Sequence, residues 1–439
     1  MPEPRGTMRA MGRALRHRNY RLFFFGQGTS LIGTWLTRVA TAWLIYRLTG
    51  SALLLGLVGF AGQLPTFLLA PLAGVLVDRW NRHRVLVVTQ ALAMIQSALL
   101  AAFALTHTIT VWHVLALSAF QGLINAFDTP ARQAFVVQMV DAREDLANAI
   151  ALNSSMVNAA RLIGPSVGGI LISAFGEGWC FAIDAVSYFA VIVSLLMMHP
   201  RAVEKKAKHA RVLADLREGF RYVSGFAPIR AILLLLALVS FTGIPYTVLM
   251  PIFAGEVLHG GAHTLGILMG ATGVGAVIGV LWLASRSSVL GLGRTMWVAG
   301  ALFGAGLIAF SLSRSLWLSV PLLAIAGGGM MVQMAASNTL LQTLVDEDKR
   351  GRVMSFYTMA FFGMMPFGSL AAGWAGARIG APMTVLCGGV ATLVAVGLFM
   401  RKLPELRESV RPIYVRLGIL PEIAEGLRSA VEINQPAED

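Results

Sequence analysis

The chain has 439 residues, 56% of them hydrophobic and only 13% charged, with a formal net charge of +13. So few charges cannot cover a core this apolar, and lipid must be the solvent for much of the surface. A soluble enzyme, a disordered chain and a nucleic-acid-binding domain all fit poorly, although basicity alone would suit a nucleic-acid partner.

Crossing the hydrocarbon takes about 20 mostly apolar residues. In chain order, a basic segment (1–21) precedes six such stretches, at 22–45, 53–77, 85–106, 111–131, 150–173 and 179–198. The first is longer than a signal-peptide core and contains Arg38, so it reads as an uncleaved helix. A polar, basic linker (199–229) follows, in which Leu213, Leu216, Phe220 and Val223 recur at helical spacing among Arg211, Asp215, Arg217, Glu218 and Arg221. That pattern predicts a helix lying on the membrane surface. Six more stretches cover 230–254, 264–285, 294–312, 317–338, 353–376 and 382–400, within a second half bounded by 230 and 401. The tail, 402–439, is polar, with Ile423, Leu427, Ala430 and Val431 on one face of a short predicted helix. The expected fold is all-α and integral to the membrane: twelve transmembrane helices in two six-helix lobes, 22–198 and 230–401.

Short loops set orientation through their Lys and Arg. Taking the N-terminal side as inside, the inner segments hold thirty Lys and Arg, and the outer connections only Arg47, Arg314 and Arg378. Both termini are therefore expected in the cytoplasm, and the net charge faces anionic headgroups. A shift of 204 residues places Gln138 on Gln342, Gly164 on Gly368, Gly169 on Gly373 and Gly176 on Gly380. A 6+6 arrangement with such a repeat fits a transporter built of two parallel halves around a central pathway.

Two motifs stand out. The loop after the second span contains Gly74, Asp78, Arg79, Arg82 and Arg84; a positive-inside turn accounts for the arginines but not for Asp78. In the fifth span, Gly164-Pro165-Ser166-Val167-Gly168-Gly169 interrupts a helix with Pro and Gly, which permits bending and close packing. Its match to the Gly-x-Ser-x-Gly nucleophile elbow is accidental, because an elbow needs a strand-turn-helix context.

The Asp-Arg-x-x-Arg loop resembles the signature loop of the major facilitator superfamily, and the Gly-Pro-x-x-Gly-Gly run resembles the motif of its antiporter members. The stretches Phe127–Gln133, Asn148–Asn153, Asn158–Pro165 and Gly351–Ser355 resemble the enterobactin-exporter branch, which also holds drug-efflux relatives. The resemblance implies a proton-coupled antiporter of the bacterial inner membrane that exports a siderophore-like compound or an amphiphilic drug by alternating access. It also implies a monomer. There are departures. Ala160 stands where the antiporter motif often has Gly, and Gly279 through Arg286 offers no Asp to match Asp78.

Ionisable groups inside spans are functional candidates by default. At about 1.5 Å per residue, Arg161 lies roughly 17 Å above the inner boundary, Asp184 roughly 22 Å and Arg38 roughly 24 Å. Arg161 and Asp184 are therefore within pairing range. One reading is a structural ion pair; the sharper one is a layer that binds an anionic substrate and exchanges a proton at Asp184. Asp128 and Arg132, with Asp78, are candidates for an inner latch that holds the outward-facing state. Gln27, Gln63, Asn153, Asn158, Gln333, Asn338 and Tyr357 are candidates for the pathway wall, each equally able to serve as helix-helix glue. His259 and His263 are separated by Gly260 and Gly261, so no metal site is expected. Without a Gly-Lys pair there is no phosphate-cradling loop, and an ion gradient is the expected energy source. The expected partners are a small organic substrate, protons and membrane lipids, with no cofactor and no nucleic acid. Rival readings are a lipid or lysolipid flippase, an uptake symporter, and a non-transporting scaffold or receptor.

Overall fold

The computed structural model describes residues 12–140, 142–199, 212–286 and 288–419. The face predicted on Ile423, Leu427, Ala430 and Val431 lies outside them. The first lobe contains α1 (Arg18–Thr49), α2 (Ala52–Arg79), α3 (Arg82–Leu105), α4 (Val111–Met139), α5 (Leu146–Phe175) and α6 (Glu177–Leu196). The linker forms α7 (Val212–Gly225). The second lobe contains α8 (Ala227–Thr242), α9 (Tyr246–Ile252), α10 (Ala262–Ala284), α11 (Leu292–Leu312), α12 (Leu316–Leu344), α13 (Glu347–Phe362), α14 (Met365–Ile379) and α15 (Ala381–Arg416).

Among the described residues, ten spans are long and apolar enough to cross a membrane, with α8–α9 and α13–α14 each counting as one. Helices α1 and α4, 32 and 29 residues long, complete the twelve. Their hydropathy is lowered by Arg18, Arg21, Arg38 and Arg47 in the first and by His113, Asp128 and Arg132 in the second.

Three features depart from the expected pattern. The seventh and eleventh spans are broken, at Gly243–Pro245 and at Gly363–Met364. Pro245 and Pro366 lie at or beside these breaks; each lacks a backbone donor and disfavours helix in the residue before it. The breaks are neighbours, and the Ser240 hydroxyl donates to the Phe361 carbonyl across them. The twelfth helix also runs past residue 400 to Arg416, because Leu403, Leu406 and Val410 recur at helical spacing and are buried. Finally, α7 docks on the second lobe, a contact that the linker pattern does not predict. Val223 is buried, a Cβ on Gly219 would fall 2.9 Å from the Phe356 ring, and Arg352 donates to Glu218 at 2.7 Å.

The lobes meet along two seams. Helix α5 packs on α10, and α2 on α14. At each seam a glycine pair lets backbones touch. A Cβ on Gly169 would lie 2.8 Å from the Gly266 Cα, and one on Gly373 would lie 2.7 Å from the Gly56 Cα. The two seam glycines, Gly169 and Gly373, are the pair superposed by the 204-residue shift. Gly176 and Gly380, superposed by the same shift, end their helices at φ 85° and 82°. Only glycine adopts that conformation without strain.

Both seams lie in the halves of the helices far from the chain termini. On the terminal side the lobes part: α13 packs on α7 and α8 rather than on the first lobe. There Ile150, Ser154, Ser155, Thr358 and Met359 are exposed. A cleft therefore opens between the lobes toward the terminal side and is closed at the far side.

Candidate functional site

Helix α1 organises the first lobe by presenting two stripes. Gly26, Ser30, Gly33 and Thr37, spaced as one helical face, lie against α6. Trp35 lies against α5, where Gly164 leaves the room: a Cβ on Gly164 would collide with the Trp35 Cβ. Arg161, one turn before Gly164, is thereby brought to the same indole.

The result is a pair of guanidinium groups around one ring. Arg38 lies 4.7 Å from the centroid of Trp35, and Arg161 lies 5.8 Å from it. Neither arginine makes an ion pair among the described residues. Arg38 is exposed and Arg161 half-buried. The Arg161 backbone marks the edge of the α5–α10 seam, since a Cβ on Gly273 would fall 3.3 Å from its carbonyl oxygen. The pair thus sits at the closed end of the cleft. A cation–π contact contributes about 0.5–2 kcal/mol and leaves the charge in place, so two cations remain there with no counter-ion among the described residues.

The expected Arg161–Asp184 pair does not form. Asp184, 1% exposed, turns into the lobe between α1, α3 and α6. Its Oδ2 accepts from the Thr37 hydroxyl at 2.7 Å and from the Ser97 hydroxyl at 2.8 Å, and its Oδ1 accepts from the Ser187 hydroxyl at 3.4 Å. The physical reason is packing: α1 can lie on α6 because residue 33 is glycine, and a Cβ there would fall 2.6 Å from the Asp184 Oδ1. The hydroxyls of Thr37 and Ser97 then satisfy the carboxylate without a cation, while the Ser187 hydroxyl donates chiefly to the Asp184 backbone carbonyl at 2.7 Å.

A second buried acid behaves similarly. Asp128 Oδ1 accepts from the Thr89 hydroxyl at 2.9 Å and from the Gln90 amide at 2.8 Å, and Oδ2 lies 3.6 Å from Arg132. Asp78 pairs instead with Arg82 at 2.9 Å, and its side chain is 70% exposed. The latch candidates therefore sit in two separate pairs, Asp128–Arg132 and Asp78–Arg82, in this cleft-open arrangement. Gly74, Arg79 and Arg84 belong to the same α2–α3 corner, and a Cβ on Gly74 would touch nothing within 4 Å.

The polar pathway candidates divide. Gln27 and Gln333 are 4% and 1% exposed and lie inside their lobes. The amides of Gln63 and Asn158 donate to the carbonyls of Gly59 and Ser154 on their own helices. The Tyr357 hydroxyl donates to the Met334 carbonyl at 3.3 Å, and Asn338 accepts from Gln342. Asn153 and Asn158 remain half-buried on the terminal half of α5. Among the described residues no group of three His, Cys, Asp or Glu is placed to hold a metal ion. Trp35, Thr37 and Ser97 escaped the sequence reading. Trp35 is three residues from Arg38 on a helix, and that spacing is the one signal that points to it.

A family model described as transmembrane secretion effector matches residues 12–414. The staphyloferrin A transporter of Staphylococcus aureus is 26% identical over 353 residues, which cover 80% of this chain and 87% of that one. The multidrug efflux pump Tap of Mycolicibacterium fortuitum is 26% identical over 401 residues, covering 89% and 98%. The enterobactin exporter EntS of Shigella boydii is 26% identical over 393 residues, covering 89% and 93%. Among solved structures, a bacterial homolog of the human lysosomal transporter Spinster, inward-facing and unoccupied, aligns with TM-score 0.64 at 16% identity, covering 91% of this chain and 98% of that one. The nucleoside transporter NupG aligns with TM-score 0.69 at 14% identity, covering 89% and 99%. At such identities the structural likeness establishes the fold.

Proposed function

From the premise that the chain belongs to the transmembrane secretion effector family of the major facilitator superfamily, and is a multi-pass transporter rather than an enzyme, we propose that it exports a small organic anion in exchange for protons. The observation that carries this reading is the Arg38–Trp35–Arg161 cluster at the closed end of the cleft. Two cations at the end of a cleft, with no ion-pair partner among the described residues, favour an anionic ligand. The planar guanidinium fork suits a carboxylate or catecholate, and the indole suits a flat apolar body. Siderophore-like cargo fits this chemistry better than a cationic drug does. Relatives named for staphyloferrin A and enterobactin support the same choice.

The proton site in this reading is Asp184. A proton on Oδ2 converts an acceptor into a donor, so the hydroxyl of Thr37 or Ser97 must turn away. Thr37 is the residue before Arg38 on α1. Loading Asp184 therefore changes the restraint on the segment that carries one substrate cation. Alternating access follows by exchanging the far-side seams for terminal-side ones, with Asp78, Asp128 and Arg132 gathering as the inner latch. The concentration of Lys and Arg on the terminal side supports cytoplasmic termini in the bacterial inner membrane, with the cleft facing the cytoplasm. A monomer suffices, because cleft and proton site lie within one chain.

The test uses inverted vesicles with an acidic lumen. Addition of a catecholate or carboxylate siderophore is expected to release protons from the lumen, and a cationic dye is not. Proton release with the dye but not with the siderophore would reject the anion reading. Absence of release with either, from folded protein, would reject proton-coupled export.

A further inference from the structure

A second cationic site lies on the terminal side of the second lobe, away from the cleft. Helix α7, the start of α8, the end of α12 and the extension of α15 line an open cavity of about 460 Å³. Phe226, Leu344 and Ile413 give it an apolar wall, and Arg221 and Arg416 give it a cationic one. Asp346, the acid in the lining, is engaged: its Oδ1 accepts from Arg416 at 2.8 Å. The Arg221 side chain has no acidic partner among the described residues and is exposed. Lys349 adds charge beside the cavity, with its ammonium 4.8 Å from the ring of Tyr222, another lining residue. At the corner, a Cβ on Gly225 would meet nothing within 4 Å, so the space is open there.

We propose that this cavity binds a phosphate-bearing anion. A phosphate offers several strong acceptor oxygens, and guanidinium groups recognise it with two parallel hydrogen bonds. The volume falls in the range of about 300–1,000 Å³ typical of small-ligand sites. Two sources carry this group. One is an anionic phospholipid, whose glycerol and chains would follow the apolar wall; basic pockets on the cytoplasmic side of helical bundles take such headgroups. The other is a soluble organic phosphate. Either ligand would join α7, α15 and the turn that begins α13, and so tie the linker to the terminal half of the eleventh span. This site is independent of the cargo reading.

The experiment is thermal unfolding of the full-length protein in neutral detergent, titrated with phosphatidylglycerol, phosphatidylcholine or glycerol 3-phosphate. Phosphatidylglycerol is expected to stabilise the protein more than phosphatidylcholine, with apparent affinity about tenfold weaker in Arg221→Gln. Arg217→Gln, on the same helix but outside the cavity lining, is expected to match the parent and so separates a site from general surface charge. Equal stabilisation by glycerol 3-phosphate, with the same Arg221 dependence, assigns the soluble source. No preference for either net-anionic ligand over the zwitterionic phosphatidylcholine overturns the proposal. So does an unchanged titration in Arg221→Gln.

Discussion

The two lobes share a helical plan and differ in what they bury. Within its spans the first lobe holds Arg38, Asp128, Arg132, Arg161 and Asp184. The second lobe holds no Asp, Glu, Lys or Arg between Ala231 and Gly255, and its later spans carry them only toward their ends, as at Arg294, Arg350, Arg352, Arg378 and Arg401. It packs instead through glycine. A Cβ on Gly279 would fall 2.8 Å from the Gly328 carbonyl oxygen, and Gly275 and Gly327 sit against the backbones of Ala324 and Thr272. At the seams the lobes behave alike, with Gly169–Gly266 answering Gly56–Gly373. Closure is therefore a property of both lobes and charge chemistry a property of one. In the proposed exchange, symmetric packing lets the lobes rock, while the proposed ligand and proton groups stay on a single side of the moving boundary.

Asp184→Asn breaks this division most severely. Substrate-dependent proton release in inverted vesicles is expected to fall to background, with folded protein retained in the membrane. Coupling that survives would move the proton elsewhere. Next in size is Gly169→Leu, which overpacks one seam. Overpacking costs about 1–3 kcal/mol, so the closed-to-open ratio at the far side should shift roughly tenfold, read as distances between spin labels on the far ends of α5 and α10. Gly373→Leu should do the same if the seams are equivalent, and a difference between them would show that one lobe leads.

Arg38→Gln and Arg161→Gln sharpen the contrast in the cleft. Each removes a charge-assisted contact of about 1.5–3 kcal/mol, so affinity for an anionic substrate should weaken about tenfold or more. The double variant should lose less than the product, because both groups share Trp35; binding isotherms would show it. Asp78→Asn should move the conformer ratio only severalfold, since an exposed pair contributes about 0–1 kcal/mol. Gln333→Leu should do least. The Gln333 Nε2 is buried with no partner among the described residues, so transport should stay within about twofold and thermal stability should hold or rise.

Much of the architecture was legible because hydropathy and Lys/Arg placement report directly on the solvent each segment meets. The spans, the basic terminal side and the signature corner around Asp78 and Arg82 are of this kind. The helix breaks were less legible. Pro245 and Pro366 were visible, but Pro130, Pro165 and Pro321 lie inside helices that continue through them. Whether a proline ends a helix depends on which neighbours accept the freed backbone groups. The Arg161–Asp184 pair failed for a similar reason. Depth along the membrane places two residues in one layer, but not on facing sides of their helices.

The sequence by itself determined that the chain lies in lipid, that it folds as twelve spans in two halves, and that cations collect at one membrane face. Those properties follow from local composition, which each segment carries wherever it packs. Tertiary structure alone decided that Asp184 takes the hydroxyls of Thr37 and Ser97 while Arg38 and Arg161 share an indole. It also decided that Gly169 and Gly373 close the far side. These outcomes depend on the azimuth of each helix about its axis, and close contact at Gly33, Gly164 and the seam glycines fixes that angle only once the neighbouring helices are in place.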